Sequence, residues 1–118
     1  MVIVDTSIWV DHLRTGNKHL EKLLLNAKVI SHEFIIGELA CGILKNRSEI
    51  LTLLQALPHA PTIDHQEFLH FIDMHQLMGR GIGLVDIYLL ASAQLANVSI
   101  WTADNRLKTA AESLNLQY

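Results

Sequence analysis

The chain has 118 residues, half of them hydrophobic and only 18% charged against a typical ~25%, which is enough for one domain and too few for two. Residues 1–118 are therefore expected to form a single domain, and the low charged fraction indicates a face that binds a partner or a second copy. The net charge of −3 without a Lys/Arg run excludes broad electrostatic binding of nucleic acid. The single cysteine, Cys41, excludes a disulfide framework and predicts a reducing, cytoplasmic location.

Short apolar strands alternate with helices along the chain. Residues 1–4 are rich in β-branched side chains, as in a buried parallel strand, and further strands are expected near residues 29–30, 62–63, 98–102 and 116–117. Helices are expected at about residues 7–13, 18–26, 32–44 (capped by Ser31) and 48–57, from an Asp64 cap to about residue 78, at about 84–97, and in a short segment from Asp104. This alternation predicts a parallel sheet with right-handed crossovers. The longest uncharged run, residues 87–103, is too short and too polar to span a membrane.

Four acidic residues stand at tightly constrained places in this pattern. Asp5 ends the first strand, Glu38 lies within an apolar helix, Asp86 opens an almost wholly apolar helix, and Asp104 follows the last long strand. A parallel α/β fold would bring them together at one edge of its sheet. Carboxylates gathered there repel one another by roughly 4 kcal/mol per close pair at an effective dielectric near 20. A bound divalent cation would offset this repulsion, so the pattern predicts a metal-dependent enzyme.

Each acid alone also has a simpler structural interpretation. Asp5, Asp86 and Asp104 can each serve as an acid at a helix N-terminus, where a carboxylate is favourable. Glu38 falls inside the apolar stripe of its helix, and the alternatives for it are a salt bridge or a slightly rotated helix. The four together are much stronger evidence for a metal site than any one of them.

Four segments carry a resemblance to a known family. They are Val4-Asp5-Thr6-Ser7, Ile36-Gly37-Glu38-Leu39, Asp86-Ile87-Tyr88-Leu89-Leu90-Ala91-Ser92-Ala93 and Thr102-Ala103-Asp104. In this order and over the whole chain they resemble the PIN domain, and above all the VapC toxin ribonucleases of type II toxin–antitoxin pairs. The chain departs from many relatives a few residues after Thr102, where a further acid and an aromatic are replaced by Leu107 and Lys108.

The resemblance implies a three-layer α/β fold with a five-stranded parallel sheet in the order 3-2-1-4-5, flanked by helices. It also implies a Mg²⁺ or Mn²⁺ cofactor, endoribonuclease activity, a homodimer and a cognate antitoxin that blocks the site. By motif position, Asp5, Glu38, Asp86 and Asp104 would be the catalytic and metal-binding residues, assisted by Thr6 and Thr102. Arg80 and Arg106 lie close in sequence to Asp86 and Asp104, and each either contacts an RNA phosphate or pairs with an acid.

The function predicted from these residues is hydrolysis of RNA phosphodiester bonds by a metal-activated water. Hard oxygen ligands suit Mg²⁺ or Mn²⁺. An aspartyl phosphatase of the haloacid dehalogenase type would need a second acid at position 7, which is Ser7, and a phospho-receiver domain would need a late lysine at a strand end. The remaining alternative is a catalytically degenerate PIN domain that only binds RNA or protein.

Overall fold

The computed structural model describes residues 1–118, in which three short parallel strands form one sheet. The strands are β1 (Val2–Val4), β2 (Val29–Ile30) and β3 (Ser99–Trp101), in the spatial order β2-β1-β3. All three are parallel, and Val4 lies opposite Trp101 at the ends of β1 and β3. The carboxyl ends of neighbouring parallel strands therefore meet at one edge, which is where open α/β sheets place their ligands.

Only three of the five expected strands form, although the α/β class and the parallel sheet are confirmed. Ser31 pairs with His59 and Ile100 with Gln117 through single parallel bridges, one on each outer side of the sheet, whereas residues 62–63 belong to no strand. Prolines at positions 58 and 61 cannot donate to a strand ladder, which limits pairing around His59. The expected order 3-2-1-4-5 is thus reduced to its three central strands.

All seven predicted helices form, and their ends shift by no more than about one turn. The observed ends follow local backbone signals: the fifth helix stops at Gln76, whose φ of 55° is left-handed, and the third stops at Gly42. None of the helices is both long and apolar enough to cross a membrane. The helices are α1 (Thr6–Thr15), α2 (Lys18–Leu25), α3 (Glu33–Cys41), α4 (Arg47–Ala56), α5 (His65–His75), α6 (Leu84–Ala96) and α7 (Asn105–Ser113).

The central helix of the fold is α6, as its apolar sequence predicts. Its side chains from Ile87 to Ala93 are all buried, and it packs against β3. Ile3 and Val4 of β1 are fully buried on the neighbouring strand. A helix buried nearly all round is fixed in position by its core, so its first turn, which carries Asp86, is held rigidly near the sheet edge.

Candidate active site

The four acids predicted from the sequence lie on four different elements. Asp5 directly follows β1 and is only 6% exposed, and Asp104 follows β3 at the same edge of the sheet. Asp86 is partly buried in the first turn of α6, and Glu38 is exposed on α3. Ile35 and Leu39 of the apolar stripe are buried as expected, whereas the placement of Glu38 inside that stripe is wrong, because its side chain is exposed.

The carboxylate of Asp5 is held by two hydroxyl groups. Asp5 has the backbone conformation of an N-cap for α1, yet its side chain makes no capping hydrogen bond. Its Oδ2 instead accepts hydrogen bonds from Ser7 Oγ at 2.8 Å and from Thr102 Oγ1 at 2.8 Å. Helix capping therefore does not account for this carboxylate, whose position is set by side chains from α1 and from the end of β3.

The same two hydroxyls connect the ends of β1 and β3. Thr102 Oγ1 accepts the backbone N–H of Asp104 at 3.0 Å, and Ser7 Oγ accepts the N–H of Ala103 at 3.1 Å. Asp5 and Asp104 are thus linked through one threonine. Ser7 was not among the site residues predicted from the sequence, although its place two residues after a strand-end acid was the available signal.

Glu38 and Asp86 each receive one hydrogen bond. Thr6 Oγ1 donates to Glu38 Oε1 at 2.7 Å, so this threonine orients a carboxylate of α3. The backbone N–H of Gly83 donates to Asp86 Oδ2 at 3.4 Å, across the first turn of α6. Asp104 is different, because its Oδ1 caps α7 by accepting the N–H groups of Arg106 and Leu107.

The four carboxylates share one feature: all of their hydrogen bonds fall on a single oxygen. No hydrogen bond from the protein reaches the second oxygen of any of them, and none of the donors is a lysine or arginine side chain. Carboxylate oxygens without a protein partner are available as hard ligands for a divalent cation. The four free oxygens are Asp5 Oδ1, Glu38 Oε2, Asp86 Oδ1 and Asp104 Oδ2.

Electrostatics shows that the four acids are neighbours. Burial raises the pKa of the Asp86 carboxyl above its ordinary value of 3.8, the negative charges of Asp5, Asp104 and Glu38 raise it further, and the Gly83 hydrogen bond opposes the shift. Desolvation and like charges both disfavour an ionised carboxyl. The first turn of α6 is therefore the point where negative charge is most strongly crowded.

The donor set suits a divalent metal, but its members do not yet converge. As the side chains lie, no three acidic, histidine or cysteine residues form a group that could hold a metal ion. Glu38 and Asp104 are exposed, so their side chains have room to turn toward Asp5 and Asp86. The chemistry of the site therefore fits a hard cation, and binding one requires side-chain movement.

Two arginines flank the acids without pairing with them. Arg80 is partly exposed in the loop that precedes α6, and Arg106 is exposed in the first turn of α7. The side chain of Arg106 lies directly on Gly81, where an added Cβ would be 2.8 Å from its Cδ and Nη1. Gly81 also has a φ of +75°, so this position favours glycine for two separate reasons.

Comparison with known proteins identifies the family. The PIN domain family model matches residues 2–113. The chain belongs to the PIN domain family. It is 43% identical over 111 residues to the protein named ribonuclease VapC32 in two strains of Mycobacterium tuberculosis, CDC 1551/Oshkosh and ATCC 25618/H37Rv, which covers 93% of this chain and 90% of each relative.

The structure is also similar to a solved one. The crystal structure of PAE2754 from Pyrobaculum aerophilum matches 95% of this chain and 80% of that chain, with a TM-score of 0.60 and 16% sequence identity. At this identity the likeness shows the fold alone. The resemblance to the PIN domain expected from the four sequence segments is thereby confirmed at the level of family and fold.

One buried polar pair in this PIN domain was missed by sequence reasoning. His32, not the expected Ser31, caps α3, because its Nδ1 accepts the N–H of Phe34 at 3.0 Å. Since Nδ1 accepts, Nε2 carries the proton and donates to Ser92 Oγ at 2.9 Å. Both side chains are 0% exposed. This hydrogen bond joins α3, which carries Glu38, to α6, which carries Asp86.

Proposed function

We propose that this PIN domain is a metal-dependent endoribonuclease and the toxin of a type II toxin–antitoxin pair, with residues 1–118 acting as one domain. The observation that carries the proposal is the set of four carboxylates on neighbouring elements, each with one oxygen that has no protein partner. Relatives that are 43% identical over almost the full chain are named ribonuclease VapC32, which supports RNA as the substrate.

The metal would be held by the free oxygens of Asp5, Glu38, Asp86 and Asp104. Mg²⁺ or Mn²⁺ is the proposed ion, because both prefer carboxylate oxygen and water as ligands. When bound, such an ion supplies Lewis acidity and lowers the pKa of a coordinated water. The negative charges crowded around Asp86 favour binding of such a cation, because the cation relieves their mutual repulsion.

The chain's own hydroxyl groups orient two of the four carboxylates. Ser7 and Thr102 hold one oxygen of Asp5 and leave the other free, and Thr6 does the same for Glu38. Each held carboxylate thus keeps one oxygen available to the proposed ion, whose positive charge would offset the charge that develops on the scissile phosphate. Arg106, whose side chain lies on Gly81 in the loop before α6, is the proposed contact to an RNA phosphate, with Arg80 as a second contact.

The proposed partners are a cognate antitoxin and a second copy of the chain, in the cytoplasm. Large apolar side chains are exposed on α1, after α3 and on α4, including Val10, Ile43 and Leu53. Between α1, α2 and α4 lies an apolar groove of about 330 Å³ that contains Trp9 and Leu54. Apolar surface of this kind on a small protein supports a partner-binding role.

A catalytically degenerate PIN domain is the alternative function. It is favoured by the lack of any three ligand side chains already placed to hold a metal. In that case the chain would bind RNA or protein without cutting it. The presence of all four acids, two of them oriented by hydroxyl groups, supports the nuclease over this alternative.

Cleavage of total cellular RNA by purified, antitoxin-free protein tests the proposal. We expect discrete fragments with Mg²⁺ or Mn²⁺ and none with EDTA, because the carboxylates cannot neutralise the phosphate by themselves. Restoring Mn²⁺ in excess over EDTA should restore the same fragments. Metal-independent cleavage would contradict the metal site, and intact RNA together with no measurable Mn²⁺ binding would favour the degenerate alternative.

Thr102 provides a test of how the carboxylates are held. Replacing Thr102 with Val removes the donor to Asp5 and the acceptor for Asp104, so we expect about tenfold slower cleavage and a loss of ~1–2 kcal/mol in unfolding free energy. Thr102→Ser should keep both properties near wild type. Thr52→Val, which removes an exposed hydroxyl on α4, is the matched control. Equal rates for Thr102→Val and the control would rule out this role.

A further inference from the structure

A small cavity opens beside the candidate active site. It has a volume of about 130 Å³ and is lined by Ile100, Trp101, Thr102, Lys108, Gln117 and Tyr118. Thr102 belongs to both places, because its hydroxyl donates to Asp5. The cavity therefore lies at the carboxyl end of β3, next to the acids and on the side of α7.

Three aromatic rings pack together here, and two of them, Trp101 and Tyr118, line the cavity. His19 Nε2 and the Tyr118 hydroxyl lie 2.6 Å apart, within hydrogen-bond distance. Trp101 packs edge-on against His19 at 5.2 Å between ring centroids and lies 5.7 Å from Tyr118. Tyr118 is nevertheless 49% exposed. A ring that is half exposed and anchored by its hydroxyl offers a surface on which a nucleic acid base can stack at low entropic cost.

Lys108 places a positive charge at the same cavity. It lies one turn after Asp104 on α7, and its backbone N–H donates to the Asp104 carbonyl at 2.9 Å. Its side chain lines the cavity and is exposed. The cavity is therefore lined by one cationic side chain together with the rings of Trp101 and Tyr118.

We propose that this cavity, together with the exposed ring of Tyr118, binds one nucleotide of single-stranded RNA adjacent to the bond that is cut. Its phosphate contacts Lys108 and its base stacks on the exposed face of Tyr118. At about 30 Å³ per water, the cavity has room for roughly four waters, which suits a phosphate and not a whole nucleoside. Single-stranded RNA carries both a phosphate and an unpaired base. The identification of the ligand as RNA rests on the proposed function.

The overall charge of the chain explains why such a site would be needed. With a net charge of −3, the protein gains little from general attraction to RNA. Affinity must then come from a few specific cations and from stacking of bases on aromatic rings. The cavity supplies one cation, Lys108, and one stacking ring, Tyr118, and it shares Thr102 with the acidic site.

Binding of a fluorescein-labelled single-stranded RNA to protein carrying Asp86→Asn tests the site without cleavage. Tyr118→Ala should weaken binding about 5- to 100-fold, whereas Tyr118→Phe, which keeps the ring, should stay within about twofold. Lys108→Gln should weaken binding and reduce the slope of log K against log salt by about 0.7, the value for one phosphate contact on a single strand.

Lys28→Gln is the matched control, since it makes the same charge change at the opposite edge of the sheet, where the Lys28 carbonyl accepts the N–H of Val2. Equal affinity and salt slope for Lys108→Gln and Lys28→Gln would overturn the phosphate contact. Equal losses for Tyr118→Phe and Tyr118→Ala, or no RNA binding at all, would overturn the stacking site. RNA that binds in this way but is left uncut by the native chain would contradict the nuclease proposal alone.

Discussion

Replacing Asp86 with Asn is expected to lower kcat for RNA cleavage by about a thousandfold or more, which corresponds to ~4 kcal/mol of transition-state stabilisation. Asparagine has nearly the same shape and can still accept the Gly83 hydrogen bond through its side-chain oxygen. What it lacks is the negative charge at the point where the four acids crowd together. The loss of activity should therefore come from metal binding and not from the fold.

The same substitution is expected to leave the metal-free protein at least as stable as the wild type at neutral pH. Burial raises the pKa of Asp86 above 3.8, so the folded state binds this proton more tightly than the unfolded state does. Stability contributed by the group is thus present at low pH and is lost as pH rises through the folded pKa. Asparagine removes the free-energy cost of ionising this carboxyl in the folded state at neutral pH. The midpoint of thermal unfolding at pH 7 measures the change in stability.

Asp73→Asn is the control for both measurements, because Asp73 is an exposed acid on α5 away from the acidic cluster. It should change neither cleavage nor Mn²⁺ affinity. An Asp86→Asn protein that cleaves RNA at the wild-type rate would remove Asp86 from the site. One that loses activity because it unfolds would show that the carboxylate has a structural role.

Much of this fold follows from patterns that the sequence displays directly. The run of β-branched residues at the start predicts a buried strand, and the apolar character of residues 84–97 predicts a central helix; both form. Once strands and helices alternate, the acids that follow β1 and β3 must lie at one sheet edge. Asp5 and Asp104 could therefore be placed together before any coordinates were known.

Other features depend on tertiary contacts that no local pattern encodes. Ser31 is the better cap by residue preference, yet His32 caps α3, because its ring also reaches Ser92 on a helix that is distant in sequence. The exposed position of Glu38 likewise involves a contact distant in sequence, since its carboxylate accepts a hydrogen bond from Thr6 of α1. The two outer strands form only as single bridges. The number of residues that pair there depends on the turns that flank each segment.

The buried pair of His32 and Ser92 carries the second large expected effect. Replacing His32 with Ala removes the cap of α3 and leaves the Ser92 hydroxyl buried without its donor, so we expect a loss of about 3 kcal/mol in unfolding free energy. Ser92→Ala removes only the acceptor of the Nε2–H group and should cost about 1–3 kcal/mol. Chemical denaturation measures both values.

Ser31→Ala is an unusually close control for Ser92→Ala. Ser31 is 1% exposed and adjoins His32, but its hydroxyl has no hydrogen-bond partner. Removing a buried hydroxyl that is already unpaired should be neutral or stabilising, since no interaction is lost. Equal destabilisation by the two serine substitutions would show that burial alone, and not the bond to His32, determines the effect.

The pair also predicts how stability depends on pH. Burial lowers the pKa of His32 below its ordinary value of 6.5, an effect that Glu33 opposes and His59 reinforces. The unfolded chain then binds this proton more readily than the folded chain, so stability is lost as pH falls from 6.5 toward the folded pKa. His32→Ala should lose this part of the acid sensitivity. Because protonated His32 would no longer leave Nδ1 free to cap α3, the helix that carries Glu38 should loosen only as pH falls further, through the folded pKa of His32.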